Sequence, residues 1–241
     1  MSQIKLAVVF SNSDFLVVNK PAGLNFHSEE CEPLTRSDQS NKATEPGLAV
    51  LIKQQLDLTE VYPVHRLDKM TSGLVIFALN KATAQAFQTL FETHQIQKYY
   101  LAISDKKPKK KQGWVIGDMA AARRGNWKLT QSKDNPARTQ FLSTSIESGL
   151  RLYLVKPITG KTHQIRVALK SIAVPILGDI RYAEANAAKV IDRGYLHAFA
   201  LQFTLYDQAY EFVQVPESGS IFLKPSCQAL IESWQAPWLQ F

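Results

Sequence analysis

The chain has 241 residues, 45% of them hydrophobic, and a formal charge of +7. That length suffices for one large domain or two small ones with a sizeable core, and no apolar run approaches the ~20 residues that cross a bilayer. Two cysteines are too few for a disulfide framework, and five histidines without H-x-x-x-H or Cys/His spacing suggest no metal site.

The N-terminus, Met1-Ser2-Gln3-Ile4-Lys5, lacks the apolar stretch of a secretory signal, so a cytoplasmic protein is expected. Leu6 to Phe10 and Phe15 to Asn19 read as short strands joined by a turn over Ser11 to Asp14. Lys20-Pro21-Ala22-Gly23 breaks the second strand. Residues 28–47 are polar, carry Pro33, Pro46 and Gly47, and read as a long loop. Leu48, Leu51, Ile52 and Leu56 have helical spacing and predict a helix over 47–56. Residues 73–79 predict a buried strand. Asn80 is the expected cap of a helix whose apolar face is Ala86, Phe87, Leu90 and Phe91.

Tyr99 to Ser104 is a further strand, and short strands follow at 114–117, 127–130, 138–145 and 150–156. Thr162 is expected to cap a helix running through Ala168, with Ile165 and Leu169 inward and Arg166 carried along. Residues 195–205 and 209–215 predict a hairpin turning at Tyr206-Asp207-Gln208, and 226–235 a last helix. Helices that interrupt a strand-rich chain without regular alternation predict an α+β fold with a mixed, largely antiparallel sheet. With no repeat and no linker, residues 1–241 are expected to form a single domain. Cys31 and Cys227 read as free thiols, a bridge between them staying open.

The charge is concentrated. Residues 98–140 hold eleven Lys or Arg and three Asp or Glu, a local +8 on an otherwise near-neutral chain. A basic tract of this kind suits a polyanion met on one face. Lys106-Lys107-Pro108-Lys109-Lys110-Lys111 alone could equally be a solvated loop. Trp114, Arg123, Arg124, Trp127 and Lys128 extend the tract, and aromatics among cations favour RNA, because cations neutralise phosphates and rings stack on unpaired bases.

His65-Arg66-Leu67-Asp68-Lys69-Met70-Thr71-Ser72-Gly73-Leu74 sets one carboxylate between two cations, just before an apolar run. Neighbouring cations favour the ionised form of a carboxylate. Such an Asp at the mouth of a strand can act as nucleophile or base. From composition alone, a surface salt bridge ahead of a buried strand is the better reading.

The order of residues is more specific. HRLDKMTSGL resembles the central motif of the RluA-type pseudouridine synthases, which isomerise uridine to pseudouridine in RNA. Gly160-Lys161-Thr162-His163-Gln164-Ile165-Arg166-Val167 is similar to that family's G-(R/K)-T-H-Q-I-R-V. Pro175-Ile176-Leu177-Gly178-Asp179 is similar to its P-I-x-G-D turn. Asp14 to Leu24, Lys98-Tyr99-Tyr100-Leu101-Ala102 and Leu196-His197-Ala198 resemble further segments. The matches run in order from residue 14 to about 200.

The resemblance implies a curved central sheet flanked by helices, with a catalytic cleft across it. It also implies that Asp68 is the catalytic aspartate, that Arg166 pairs with it, and that Tyr100 lines the uracil pocket by stacking, with proton transfer left open. Whether Asp68 attacks C1′, attacks the base or works through a glycal-like intermediate also stays open. Arg66 is implied to hold the stack from which the uridine is flipped, with a second counter-ion for Asp68 as the plainer reading. Lys109, Lys110, Lys111, Arg123 and Arg124 are the expected phosphate contacts. His65, His163 and His197 read as hydrogen-bonding structural residues. Lys20 and Pro21 sit near the cleft in relatives and are left out of the catalytic set.

The reaction is redox neutral, so no cofactor is expected. The expected partner is a stem-loop of tRNA or 23S rRNA, met by a monomer away from membranes. The motifs begin so near Met1 that no separate N-terminal RNA-binding module is expected. Many relatives read R-V-H where this chain has Arg166-Val167-Ala168, which points to a subgroup with a different RNA. The rival is a noncatalytic RNA-binding or RNA-chaperone protein on the same fold, which should have lost the aspartate or its arginine. A glycosidase would need a second acid across the scissile bond, and nothing pairs convincingly with Asp68.

Overall fold

The computed structural model describes residues 5–30 and 44–241. The chain divides into two compact units, residues 1–89 and 90–241. The fold is α+β with mostly antiparallel strands, as the pattern of elements predicts.

In the first unit, β1 (Ala7–Ser11) pairs with β2 (Phe15–Lys20). Two-residue strands β3 (Glu29–Glu30) and β4 (Thr44–Glu45) form a small ladder. The expected loop over 28–47 thus has paired ends, and its residues 31–43, Cys31 included, lie outside the described residues. Helix α1 (Leu48–Leu56) buries Leu48 and Ile52. It starts at Gly47, where a Cβ would stand 2.4 Å from the His27 carbonyl carbon, so only glycine allows this approach.

Strands β5 (Tyr62–Pro63) and β6 (Ser72–Ala78) follow, and β6 pairs antiparallel with both β2 and β5. Every residue of β6 is buried, which explains its continuous apolar run. Phe77 stacks on Phe26 at 6.0 Å, and a fully buried side chain of this size contributes ~1.5–3 kcal/mol. Helix α2 (Lys81–Glu92) begins where Asn80 Oδ1 accepts the Thr83 N–H at 2.9 Å, the cap read from the sequence. Its Phe87 meets Phe15 edge-on.

The second unit is built on β7 (Gln97–Ser104), β8 (Gln112–Gly117), β11 (Ala137–Glu147), β12 (Leu150–Pro157), β13 (Leu196–Leu205) and β14 (Gln208–Val213). Between β8 and β11 the chain makes a separate hairpin of β9 (Met119–Ala121) and β10 (Trp127–Leu129). Within the unit the sheet order is β14-β13-β7-β12-β11-β8, antiparallel at each step. The β13–β14 loop is only Tyr206-Asp207, since Gln208 already pairs with Leu205. Both loop residues have positive φ, 51° and 60°, the primed turn that matches strand twist.

Helices α3 (Gln164–Ser171), α4 (Ala185–Lys189) and α5 (Pro225–Glu232) complete the unit. Pro225 at the first helical position needs no donor there, which suits its start. Thr162 does not cap α3, contrary to expectation. The N-cap is His163, at φ 57°, with no side-chain capping bond. Gln164 organises this corner instead. Its Oε1 accepts from Thr159 Oγ1 at 2.6 Å and from the Lys161 N–H at 3.0 Å. Its Nε2 donates to the Arg138 carbonyl and to Thr139 Oγ1 on β11. Those bonds hold the loop before the helix, the task assigned to a capping hydroxyl. Cys227 is a buried free thiol on α5, its pKa pushed up to about 12 by burial.

Candidate active site and RNA-facing surface

In the first unit, Asp68 closes a turn between β5 and β6, its carbonyl accepting the Thr71 N–H at 3.0 Å. Leu67 beside it is buried, Asp68 is partly exposed, and Arg66 and Lys69 are exposed. The turn is clamped from below by Lys20, which is fully buried. Its ammonium donates to the carbonyls of Pro21 at 3.0 Å, Lys69 at 3.2 Å and Thr71 at 2.8 Å. Gly23 N–H donates to the Lys69 carbonyl at 2.8 Å. Lys20 therefore supports the aspartate's backbone. The Lys-Pro-Ala-Gly segment was legible, but this task was not. His65 Nε2 accepts the Ile76 N–H at 2.9 Å, a structural bond in keeping with the sequence reading.

In the second unit, Arg166 is not a surface helix residue. It is 4% exposed and bound side-on by Asp179, which is fully buried. Nε donates to Oδ2 at 2.7 Å and Nη2 to Oδ1 at 2.8 Å. Asp179 also accepts the backbone N–H groups of Arg181 and Tyr182 on Oδ1. Gly178 makes this turn possible. It has φ 75°, and a Cβ would stand 2.0 Å from the Arg193 carbonyl oxygen. The P-I-x-G-D turn thus has a physical reason, with the glycine letting the chain pass Arg193 and the aspartate holding Arg166.

Tyr182, which sequence reasoning missed, extends the cluster. Arg166 Cζ lies 5.0 Å from its ring centroid, and Lys170 Nζ 5.5 Å. Its hydroxyl accepts the Trp127 N–H at 2.9 Å and lies 2.9 Å from His163 Nδ1. The β9–β10 hairpin is thereby tied to the segment that holds Arg166. A second tie is Arg181 Nη1 to the Arg124 carbonyl at 3.1 Å.

Tyr100 and Tyr99 face opposite ways, as strand alternation requires. Tyr99 is buried against Trp238 and Phe241, with Lys156 over its ring. Burial, then Glu211, pushes its pKa up to about 12. Tyr100 is opposite Val155, and Val155 is opposite Phe141. Thr139, two residues from Phe141, bonds Gln164 of α3. Tyr100 and the helix that carries Arg166 therefore share one face of this unit's sheet.

The basic tract is a loop with a pinned backbone. Tyr153 hydroxyl donates to the Lys106 carbonyl at 3.1 Å, and Ser143 donates to the Lys111 carbonyl through N–H and Oγ. Pro108 is buried, while Lys109, Lys110 and Lys111 are exposed. Arg123 and Arg124 are exposed at the tip of the β9–β10 hairpin, Arg124 at φ 58°. Trp114 on β8 is 46% exposed, with the Arg138 guanidinium 5.7 Å over its ring. Exposed cations and an indole thus occur together on elements from β7 to β11.

Among the described residues no group of His, Cys, Asp and Glu could hold a metal ion, and no helix is long and apolar enough to cross a membrane.

Residues 14–171 match the family of RNA pseudouridylate synthases. The chain is 48% identical over 223 residues to an uncharacterized RNA pseudouridine synthase of Haemophilus influenzae, covering 92% of this chain and 93% of the relative. It is 30% identical over 203 residues to the dual-specificity RNA pseudouridine synthase RluA of Escherichia coli K12, covering 83% and 87%. Among solved structures, human RNA pseudouridylate synthase domain containing 1 superimposes with a TM-score of 0.73 at 23% identity, covering 98% of this chain and 97% of that one. Human RNA pseudouridylate synthase domain containing 4 gives 0.66 at 26% identity, covering 87% and 88%.

Proposed function

The chain belongs to the RNA pseudouridylate synthase family, and from that premise we propose how its residues divide the work. The enzyme is an isomerase that converts uridine in RNA to pseudouridine. The N1–C1′ bond breaks, the uracil turns while bound, and C5 joins C1′. The proton on C5 leaves and N1 gains one, so the sum is unchanged and no redox partner enters.

Asp68 is the nucleophile and Arg166 its counter-ion. The observation that carries this reading is the buried Arg166–Asp179 pair. It fixes the plane of a guanidinium on the face that Tyr100 shares. A guanidinium has five N–H donors, so two bonds to Asp179 leave capacity for a second carboxylate. Lys20 supports the reading from the other unit, because it holds the Asp68 turn rigid through backbone carbonyls. Tyr100 stacks on the uracil. Arg66, exposed beside Asp68, takes the place of the flipped uridine in the stack. Lys109, Lys110, Lys111, Arg123 and Arg124 bind phosphates.

The substrate is a stem-loop of tRNA or 23S rRNA, met by a monomer in the cytoplasm. Both units act as one catalytic domain, a reading supported by the family match over residues 14–171, which takes in parts of both.

Release of tritium from [5-³H]uridine-labelled total RNA, prepared from cells that lack the gene, tests the assignment. Wild type should release tritium. Asp68→Asn should bind RNA and release none. Near-wild-type release by that variant would remove Asp68 from the mechanism.

A further inference from the structure

Lys98 stands on β7 two residues before Tyr100, and therefore on the same face of the strand. It is 7% exposed. A buried ammonium is costly unless oxygen acceptors replace its water. Lys20, the other deeply buried lysine described, meets that requirement with its carbonyl acceptors. Lys98 does not. Among the described residues it has neither a carboxylate partner nor a hydrogen-bond acceptor. Its Nζ lies 5.6 Å from the centroid of the Phe91 ring, and a Cβ added at Gly160 would stand 3.9 Å from it. Gly160 begins the loop that leads into α3, so the ammonium sits between the Tyr100 strand and the approach to Arg166. Burial alone lowers its pKa to about 8, which leaves the charged form dominant at neutral pH.

A cation placed like this weakens the empty protein. The Lys98 side chain is buried but its tip is not fully enclosed, so water serves as acceptor there until a substrate oxygen reaches that face and takes its place. The enzyme's substrate is rich in the required chemistry. Each nucleotide carries anionic phosphate oxygens, and uracil carries two carbonyls. A lysine with a merely structural task would be expected to bond the fold around it, as Lys20 does.

We propose that Lys98 is a substrate-binding residue whose ammonium takes an oxygen of the target nucleotide on the Tyr100 face, either a phosphate oxygen or a uracil carbonyl. The proposal rests on the reading of Tyr100 as the uracil-pocket residue. It goes beyond that reading by naming the group that discharges a buried charge when RNA enters. Docking of the nucleotide then relieves a cost the empty protein carries, so binding and local stability are linked through one side chain.

The test is Lys98→Met in the full chain, which keeps the length of the side chain and removes its charge. Thermal melting should be unchanged or higher, because a largely buried cation with no protein acceptor among the described residues has gone. The kcat/KM for tritium release from the labelled total RNA should fall at least tenfold. A melting temperature that drops along with the rate would mean a structural lysine, and a wild-type rate would equally overturn the proposal. Uridine and uridine 5′-monophosphate as competitors separate the two oxygens. If the variant loses only the advantage of the monophosphate over uridine, the contact is phosphate; if both competitors weaken alike, it is a carbonyl. Undiminished inhibition of the variant by both would overturn the contact itself. Tyr100→Ala, run alongside, keeps the two readings apart. Full activity in that variant removes the uracil-pocket reading of this face. Loss of activity there, with Lys98→Met unaffected, removes only the Lys98 assignment.

Discussion

Asp179 grips Arg166 through two near-parallel hydrogen bonds, 2.7 Å to Nε and 2.8 Å to Nη2, and both side chains are buried. The bidentate form sets orientation as well as charge. An arginine held in this way cannot swing to suit a new partner, so a carboxylate that uses it must come to the geometry Asp179 has set.

Arg166→Met should abolish turnover and leave the Asp179 carboxylate buried without its partner. Asp179→Asn should leave Arg166 charged but loosely oriented. Removing one member of a buried pair costs ~3–5 kcal/mol, so both variants should melt well below wild type. Calorimetry and tritium release read the two effects. Unchanged melting with unchanged rate in either variant would show that the pair has no part in the fold or the chemistry.

Tyr182→Phe removes one oxygen and keeps the ring beneath Arg166. The Trp127 N–H and His163 Nδ1 each lose a partner at 2.9 Å. Both groups are half-buried, so the loss should fall at or below the low end of the ~1–3 kcal/mol that an unsatisfied buried group costs. Urea denaturation should show that loss, and amide exchange should quicken at Trp127 and along the β9–β10 hairpin. Exchange there at the wild-type rate would mean that the hydroxyl does not tether the hairpin.

Neutralising Lys109, Lys110 and Lys111 together should weaken RNA binding at low salt. The slope of log affinity against log salt should become shallower by up to ~3 units if each lysine meets a phosphate. Single-turnover rates at saturating RNA should change little, because Tyr153 and Ser143 hold the loop through its backbone and the lysine side chains are exposed. An unchanged slope would make the tract a solvated loop. A collapsed rate would place it over the reacting nucleotide.

His197 gives the fold a pH signature. It is buried, with Nε2 2.7 Å from the Gln214 carbonyl oxygen, and burial lowers its pKa to about 3, with Arg193 adding to the shift. The unfolded chain takes up a proton near pH 6.5, whereas the folded chain resists until about pH 3. Stability from this group is therefore full above pH 6.5 and declines as pH falls through that window, by up to ~1.4 kcal/mol per unit. Urea midpoints of wild type and His197→Gln at pH 7, 5 and 4 should show wild type losing more on acidification. Parallel losses would mean that His197 titrates normally.

Much was legible in the sequence because it is written in local terms. The HRLD turn, the apolar run of β6, the Asn80 cap, the helical spacing of α1 and the hairpin of β13 and β14 depend on neighbours a few positions apart, although the turn of that hairpin is one residue shorter than the Tyr206-Asp207-Gln208 read from the sequence. The basic window needed only counting, and the ordered motifs carried the family. What stayed hidden depends on partners brought together by pairing distant strands. Thr162 looked like a cap, but Gln164 reaches across to β11 and holds the corner. Asp179 was read as part of a turn, yet it holds Arg166, because Gly178 lets the chain pass against the Arg193 backbone. Tyr182 had no signal until its hydroxyl met Trp127. Lys98 and Lys20 look alike as residues in a chain, both lysines beside strands. Folding buried both, gave Lys20 its carbonyls and left Lys98 over Phe91 without a protein acceptor among the described residues, and the placement of acceptors, a property of the whole packed unit, separates the supporting lysine from the one proposed to meet substrate.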